Sequence, residues 1–174
     1  MSIEVSARRT LVDAEDTRSW GRALASVLQA GDIVLLTGEL GAGKTTLTQG
    51  LAEGLQVRGP ITSPTFVIAR IHPSLVDGPD LVHVDAYRIG GSLELEDLDL
   101  DASVDRSVTV VEWGHGMAET LAESWLEVDL RRALADEGPG LCGAGEDEEE
   151  VSDPRTVRAV GHGPRWEGFA GAVG

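Results

Sequence analysis

The sequence predicts a three-layer α/β fold, with a central, mostly parallel sheet between helices and an antiparallel C-terminal hairpin. Three observations lead there. Ile33–Leu36, Leu81–Val84 and Val108–Val111 are short, almost wholly apolar runs, typical of strands buried on both faces. The first run opens directly into a glycine-rich turn followed by a helical pattern. Trp125–Leu130 and Thr156–Val160 instead alternate apolar with polar residues, as the two arms of a half-buried hairpin do.

In chain order, Ile3–Ala7 alternates like an edge strand. Asp13 is placed to cap a helix over roughly 14–30, with Trp20, Ala23, Leu24, Val27 and Leu28 as its buried stripe. A second helix starts near Lys44 and repeats leucine at Leu47, Leu51 and Leu55. Gly59-Pro60 breaks the chain, and Ser63–Arg70 reads as a loop entering a strand. Gly90-Gly91-Ser92 opens a short acidic helix through about Leu98. The stretch 136–153 reads as a long, disordered hairpin loop, and Gly161 to Gly174 as a Gly-rich, frayed end. This gives one domain over 1–162 and a flexible tail over 163–174. Trp20 and Trp125 are expected in the core, Trp166 as an anchor of the tail, and His83 in a structural role.

The formal net charge is −16, a surface that repels phosphate backbones and favours a basic protein partner over direct, wide contact with nucleic acid. Half of it sits in 136–153, which holds eight Asp and Glu and no Lys or Arg. Cys142 is the single cysteine, so no internal disulfide can form. No apolar run reaches transmembrane length and no signal peptide is evident, so the expected location is the cytoplasm. The 14 basic residues are thirteen arginines and one lysine, and that lysine is Lys44. A composition that otherwise uses arginine keeps lysine where a compact ammonium on a flexible stem is needed.

Gly38, Gly43, Lys44 and Thr45 meet the pattern G-x-x-x-x-G-K-[ST], with a strand before and a helix after. Glycines let backbone N–H groups curl around phosphate oxygens, and the helix N-terminus adds positive dipole. The chemistry is that of a P-loop NTPase, and the plain alternative is a Gly-rich strand-to-helix turn. Leu40, Gly41, Ala42, Gly43, Lys44, Thr45 and Thr46 are the expected nucleotide contacts, with Lys44 on the β/γ-phosphates and Thr45 on Mg²⁺. Asp85 and Glu112 end two apolar strands, and parallel strands share the edge that carries the phosphate loop. One carboxylate would bind the metal and the other orient or deprotonate the attacking water. The plain alternative for each is a solvated acid at a strand end. Thr65, after Pro64, is a candidate γ-phosphate sensor or simply a turn residue. Trp113 would stack on the adenine or belong to the core. Arg88 is a candidate phosphate or partner contact.

Gly38–Thr46, Ser63-Pro64-Thr65, His83–Arg88 and Val111-Glu112-Trp113, in this order and spacing, resemble the bacterial TsaE family, the ATPase of tRNA threonylcarbamoyladenosine biosynthesis. The resemblance spans roughly residues 10 to 132 and the last strand near 156–160. It implies a P-loop fold and two partners, the threonylcarbamoyl-transferase subunit and its inactive paralogue. Those partners modify the adenosine beside the anticodon, while ATP turnover here permits repeated cycles; tRNA is reached only through the complex. It further implies Glu112 as the Mg²⁺-binding glutamate, Asp85 as the catalytic or water-orienting aspartate, Thr65 as the switch threonine and Trp113 as the tryptophan near the nucleotide. Ala86, where the family usually has a larger apolar residue, departs from the pattern.

The alternative is a small-molecule P-loop kinase, which needs an acceptor pocket and an arginine-bearing lid; the span from Glu112 to Leu130 is short and Arg-poor for one. A regulatory GTPase would need an Asn-Lys-x-Asp motif, and the chain has no asparagine. A non-hydrolytic adaptor gated by ATP binding uses the same residues and is separated only by experiment.

Overall fold

A computed structural model describes residues 5–62, 69–86, 101–114, 116, 122–132 and 154–169. The elements are β1 (Val5–Leu11), α1 (Ala14–Ala25), β2 (Ile33–Thr37), α2 (Lys44–Leu55), β3 (Ala69–His72), β4 (Asp80–Asp85), a helical turn at Asp101–Val104, β5 (Ser107–Glu112), β6 (Trp125–Arg132), β7 (Arg155–His162) and a 3-10 turn at Pro164–Trp166. The strands form one sheet in the order β1-β7-β6-β2-β5-β4-β3. Its centre is parallel: β2 lies between β6 and β5, and β5 pairs with β4. The flanks are antiparallel, with β3 on β4 at one edge and the β6–β7 hairpin followed by β1 at the other. The fold class is the expected one, an α/β sheet with a parallel centre and an antiparallel C-terminal hairpin.

All five residues of β2 and all six of β5 are buried, which is why both read as unbroken apolar runs. Val34, Leu36, Val108, Val110, Leu126, Val128 and Leu130 face the core under α1 and α2. Ile33, Leu35, Val82, Val84 and Val111 face the opposite side, packed by Val104, Ala122 and Trp125. The acidic helix expected through Leu98, the Ser63–Phe66 loop and the 136–153 stretch lie outside the described residues.

α1 starts where Asp13 caps it: the side chain accepts from the Asp16 N–H at 2.7 Å, and Glu15 and Asp16 add negative charge to the first turn. It stops at Ala25 rather than near residue 30. The Ser26 hydroxyl donates to the Ala23 carbonyl at 2.6 Å, and the following N–H groups bond three residues back, which tightens the turn and ends the α-helix. The buried stripe keeps Trp20, Leu24 and Leu28 of the expected set, with Val27 packed against them, and departs from it at Ala23. Ala23 is exposed, while Thr17, Gly21 and Ala25 join Trp20 and Leu24 inside. The cause is α2, which lies so close that a Cβ on Gly54 would meet the Ala25 methyl at 2.5 Å, and one on Gly50 would run into the Arg18 backbone.

The frayed end expected from Gly161 onward is corrected through Phe169. Trp166 is 1% exposed and meets Phe169 edge-on with ring centroids 5.3 Å apart. Arg165 binds Asp32 through two hydrogen bonds of 3.0 and 2.9 Å and lies 4.5 Å over the Trp166 ring. Two aromatic side chains and a bidentate ion pair outweigh the entropy that three glycines in Gly161–Gly168 would otherwise favour. Trp166 is therefore core, as is Trp20, and Trp125 is half-buried.

Candidate functional site

The parallel register brings the expected site residues to one edge. Leu36 pairs with Glu112, Asp85 pairs with Glu112, and Thr37 pairs with Asp129. The ends of four neighbouring strands, β4, β5, β2 and β6, therefore surround the loop that runs from Gly38 to Gly43. Gly38 and Gly43 have φ of +144° and +104°, values that residues with a Cβ rarely adopt. The loop thus requires glycine at both pattern positions.

α2 begins differently from α1. Its N-cap is Gly43, which supplies no side-chain cap, and its first turn holds no acidic residue. The first-turn N–H groups are left to an outside acceptor, the arrangement that binds anions. Lys44 is buried, and its Nζ donates to the carbonyls of Gly38 at 2.8 Å and Glu39 at 3.0 Å. The same ammonium lies 4.6 Å from the centroid of the Trp113 ring. Burial pushes Lys44 below the ordinary lysine range, against the pull of Glu112, Asp85 and Glu39, which favour the charged form.

Glu112 is 4% exposed and Asp85 8%, so neither is the solvated acid of the plain reading. Glu112 Oε1 and His83 Nε2 share a 2.8 Å hydrogen bond inside the protein. Trp113 is 43% exposed, so it is not core, and its φ of +60° puts a non-glycine residue in the left-handed region beside the loop. Trp113, Gly38 and Glu39 also border a cleft of about 680 Å³ that extends over the hairpin's Asp129 and Arg158. Thr65 and Arg88 lie outside the described residues.

The structure adds residues that sequence reasoning missed. Arg155 donates from Nε to the Ala42 carbonyl at 3.0 Å, and Arg132 and Arg155 both reach the Gly41 carbonyl, at 3.4 and 3.5 Å. The two arginines are register partners across the hairpin. Thr37, just before the loop, donates to Asp129 at 3.2 Å. His83 had a legible signal: it stands two residues before Asp85 on one strand, hence on the same face. The arginines had none, because their role depends on the register of β6 with β7 and on how that hairpin sits beside β2.

Comparison with known proteins agrees with this geometry. The family model described as threonylcarbamoyl adenosine biosynthesis protein TsaE matches residues 11–137. The tRNA threonylcarbamoyladenosine biosynthesis protein TsaE of Streptomyces coelicolor is 58% identical over 150 residues, covering 86% of this chain and 93% of the relative. The Bacillus subtilis protein of the same name is 37% identical over 153 residues, covering 87% and 84%. The crystal structure of Bacillus subtilis YdiB superposes with a TM-score of 0.68 at 29% identity, covering 99% of this chain and 95% of that one. A family match across most of the chain, and relatives this similar over nearly their whole length, mean that the chain belongs to the TsaE family.

Proposed function

We infer that this chain is the ATPase of tRNA threonylcarbamoyladenosine biosynthesis: it binds Mg-ATP on Gly38–Thr45 and hydrolyses it to permit repeated cycles of a threonylcarbamoyl-transferase complex. The observation that carries the reading is the convergence of Lys44, Glu112 and Asp85, all buried, on the sheet edge that holds an uncapped helix N-terminus. A site with buried carboxylates and a buried ammonium around free backbone donors suits a phosphate ester with its cation. The names of the relatives supply the pathway.

The residues fit Mg²⁺, a hard cation that takes oxygen ligands and keeps part of its shell for phosphate and water. Thr45, in the first turn of α2, and Glu112 would hold it. When bound there, the ion would supply positive charge against the negative charge that develops on the transferred phosphate. The backbone donors at Gly43 and the first turn of α2 cradle the phosphates. Lys44 leaves the Gly38 and Glu39 carbonyls for the β/γ-phosphates. Asp85, next to Glu112 across the β4–β5 pair, orients the attacking water or takes its proton. Trp113, exposed at the mouth of the loop, lies against the nucleotide, and Thr65 senses the γ-phosphate. The partners are the transferase subunit and its inactive paralogue, the place of work is the cytoplasm, and the net charge of −16 leaves tRNA to those partners.

The test is ATP hydrolysis by the purified chain, alone and with the two partner subunits from the same source. The expected result is slow turnover alone, strong stimulation by the pair, and, in Glu112→Ala and Asp85→Ala, a loss of turnover far larger than the loss of ATP binding. No stimulation, with phosphate transfer to a small metabolite instead, would replace this reading by the kinase.

A further inference from the structure

His83 sits in the middle of β4, between Val82 and Val84, and is 0% exposed. Its Nε2 lies 2.8 Å from Glu112 Oε1; a carboxylate that holds a cation is ionised and only accepts, so with Glu112 as the metal-side carboxylate Nε2 is the donor. Nδ1 is buried with no hydrogen-bond partner among the described residues. An apolar residue of similar size would fill this place without stranding a polar atom. What the ring adds over such a residue is the bond to Glu112. Glu112 is itself nearly enclosed, so this donor decides which carboxylate oxygen is engaged within the protein and which is left over.

We propose that His83 is a positioning residue for Glu112: by taking Oε1 it locks the carboxylate's rotamer and leaves Oε2 as the oxygen presented to the nucleotide-bound cation. This rests on the reading of Glu112 as the metal-side carboxylate. Hydrogen-bond partners of ligating carboxylates, when removed, typically change metal affinity by about 10–100-fold. His83 acts through Glu112 and does not touch nucleotide.

The experiment is calorimetric titration of ATP into the full chain, first in excess EDTA and then across a Mg²⁺ series. His83→Leu is expected to keep its EDTA affinity within about twofold while needing about 10-fold more Mg²⁺ for the same gain in affinity. His83→Gln, whose amide nitrogen replaces Nε2 as donor, should restore most of the wild-type Mg²⁺ response. In a Glu112→Gln background, His83→Leu should add nothing further. An unchanged Mg²⁺ requirement in His83→Leu, an equal loss with and without Mg²⁺, or full additivity with Glu112→Gln would each overturn the proposal. Should His83→Leu fail to fold, His83→Gln against His83→Asn decides: the shorter amide should lose the Mg²⁺ response that Gln keeps, and identical behaviour overturns the assignment. A normal Mg²⁺ response in Glu112→Gln alone would instead overturn the reading of Glu112, and His83's role with it.

Discussion

The close approach of α1 and α2 makes a quantitative prediction at Gly54. In Gly54→Ala the new methyl would lie 2.5 Å from the Ala25 methyl and 3.0 Å from the Arg22 carbonyl oxygen. Carbon atoms in contact prefer about 3.5–4.0 Å, so the helices must part by roughly 1 Å. Such overpacking costs about 1–3 kcal/mol. Replacing a helical glycine by alanine returns about 1 kcal/mol, which leaves a net loss of about 1 kcal/mol. Ala25→Gly alone gives up about 1 kcal/mol of helix propensity and about 0.8 kcal/mol for a buried methyl. If the sites were independent, the double variant would lose nearly 3 kcal/mol by addition. The structure says otherwise: in Gly54→Ala/Ala25→Gly one methyl replaces the other in the seam, and the double variant should fall within about 1 kcal/mol of wild type. Urea unfolding followed by far-ultraviolet circular dichroism measures all four proteins. Additive losses, or a Gly54→Ala that is simply more stable, would refute the close packing. α2 carries Lys44 at its first residue, so Gly54→Ala should also weaken ATP binding, and the double variant should recover it.

Lys44→Ala should lower ATP affinity by about 100-fold or more, the loss of a charged donor to phosphate; Lys44→Arg should fail nearly as badly, because a broad, planar guanidinium does not replace a compact ammonium at a buried position. Tight residual binding in either, read by calorimetry, would remove Lys44 from the site. Arg165→Met takes the charged partner from the Asp32 carboxylate, which is 5% exposed and keeps the Gln29 N–H at 2.8 Å. Arg165 itself is about one-third exposed, which discounts the usual penalty for breaking a buried pair to about 2 kcal/mol. The melting temperature should then fall by roughly 4–8 °C, and an unchanged melt would detach the C-terminal turn from the stability of the domain. Deleting 138–152 should leave both ATP affinity and the melting temperature as they are, and loss of folded protein would show that this acidic stretch is structural.

The parts of this fold that were legible in the sequence are those fixed by local pattern. A strand buried on both faces, such as β2 or β5, has no choice but to be apolar throughout. A loop that needs φ of +144° and +104° at Gly38 and Gly43 must spell out its glycines. Asp85 and Glu112 were legible one step further on, because a parallel sheet places both at one edge once their strands are recognised. What escaped was decided by contacts between distant segments. The stripe of α1 is set by the glycines of α2, which admit Ala25 and leave Ala23 outside. Gly-rich composition after Gly161 pointed to a frayed end, but Trp166, Phe169 and Arg165 had partners that only the fold supplies.

The Gly38–Gly43 loop depends on the C-terminal hairpin in a way its motif does not reveal. In a trans peptide the carbonyl and the following N–H point in opposite directions. When Arg155 holds the Ala42 carbonyl at 3.0 Å, the N–H of Gly43 is aimed the other way, away from the hairpin. Arg132 and Arg155 share the Gly41 carbonyl, and Thr37 ties the entry of the loop to Asp129 on β6. The loop is thus held by β2 before it, α2 after it, and two arginines that come from opposite ends of the 133–154 segment. A chain cut before β7 would keep every residue of the nucleotide motif, but it would lose the guanidinium that orients the loop and the strand that pairs with β6. The site is local in its sequence signature and global in its construction.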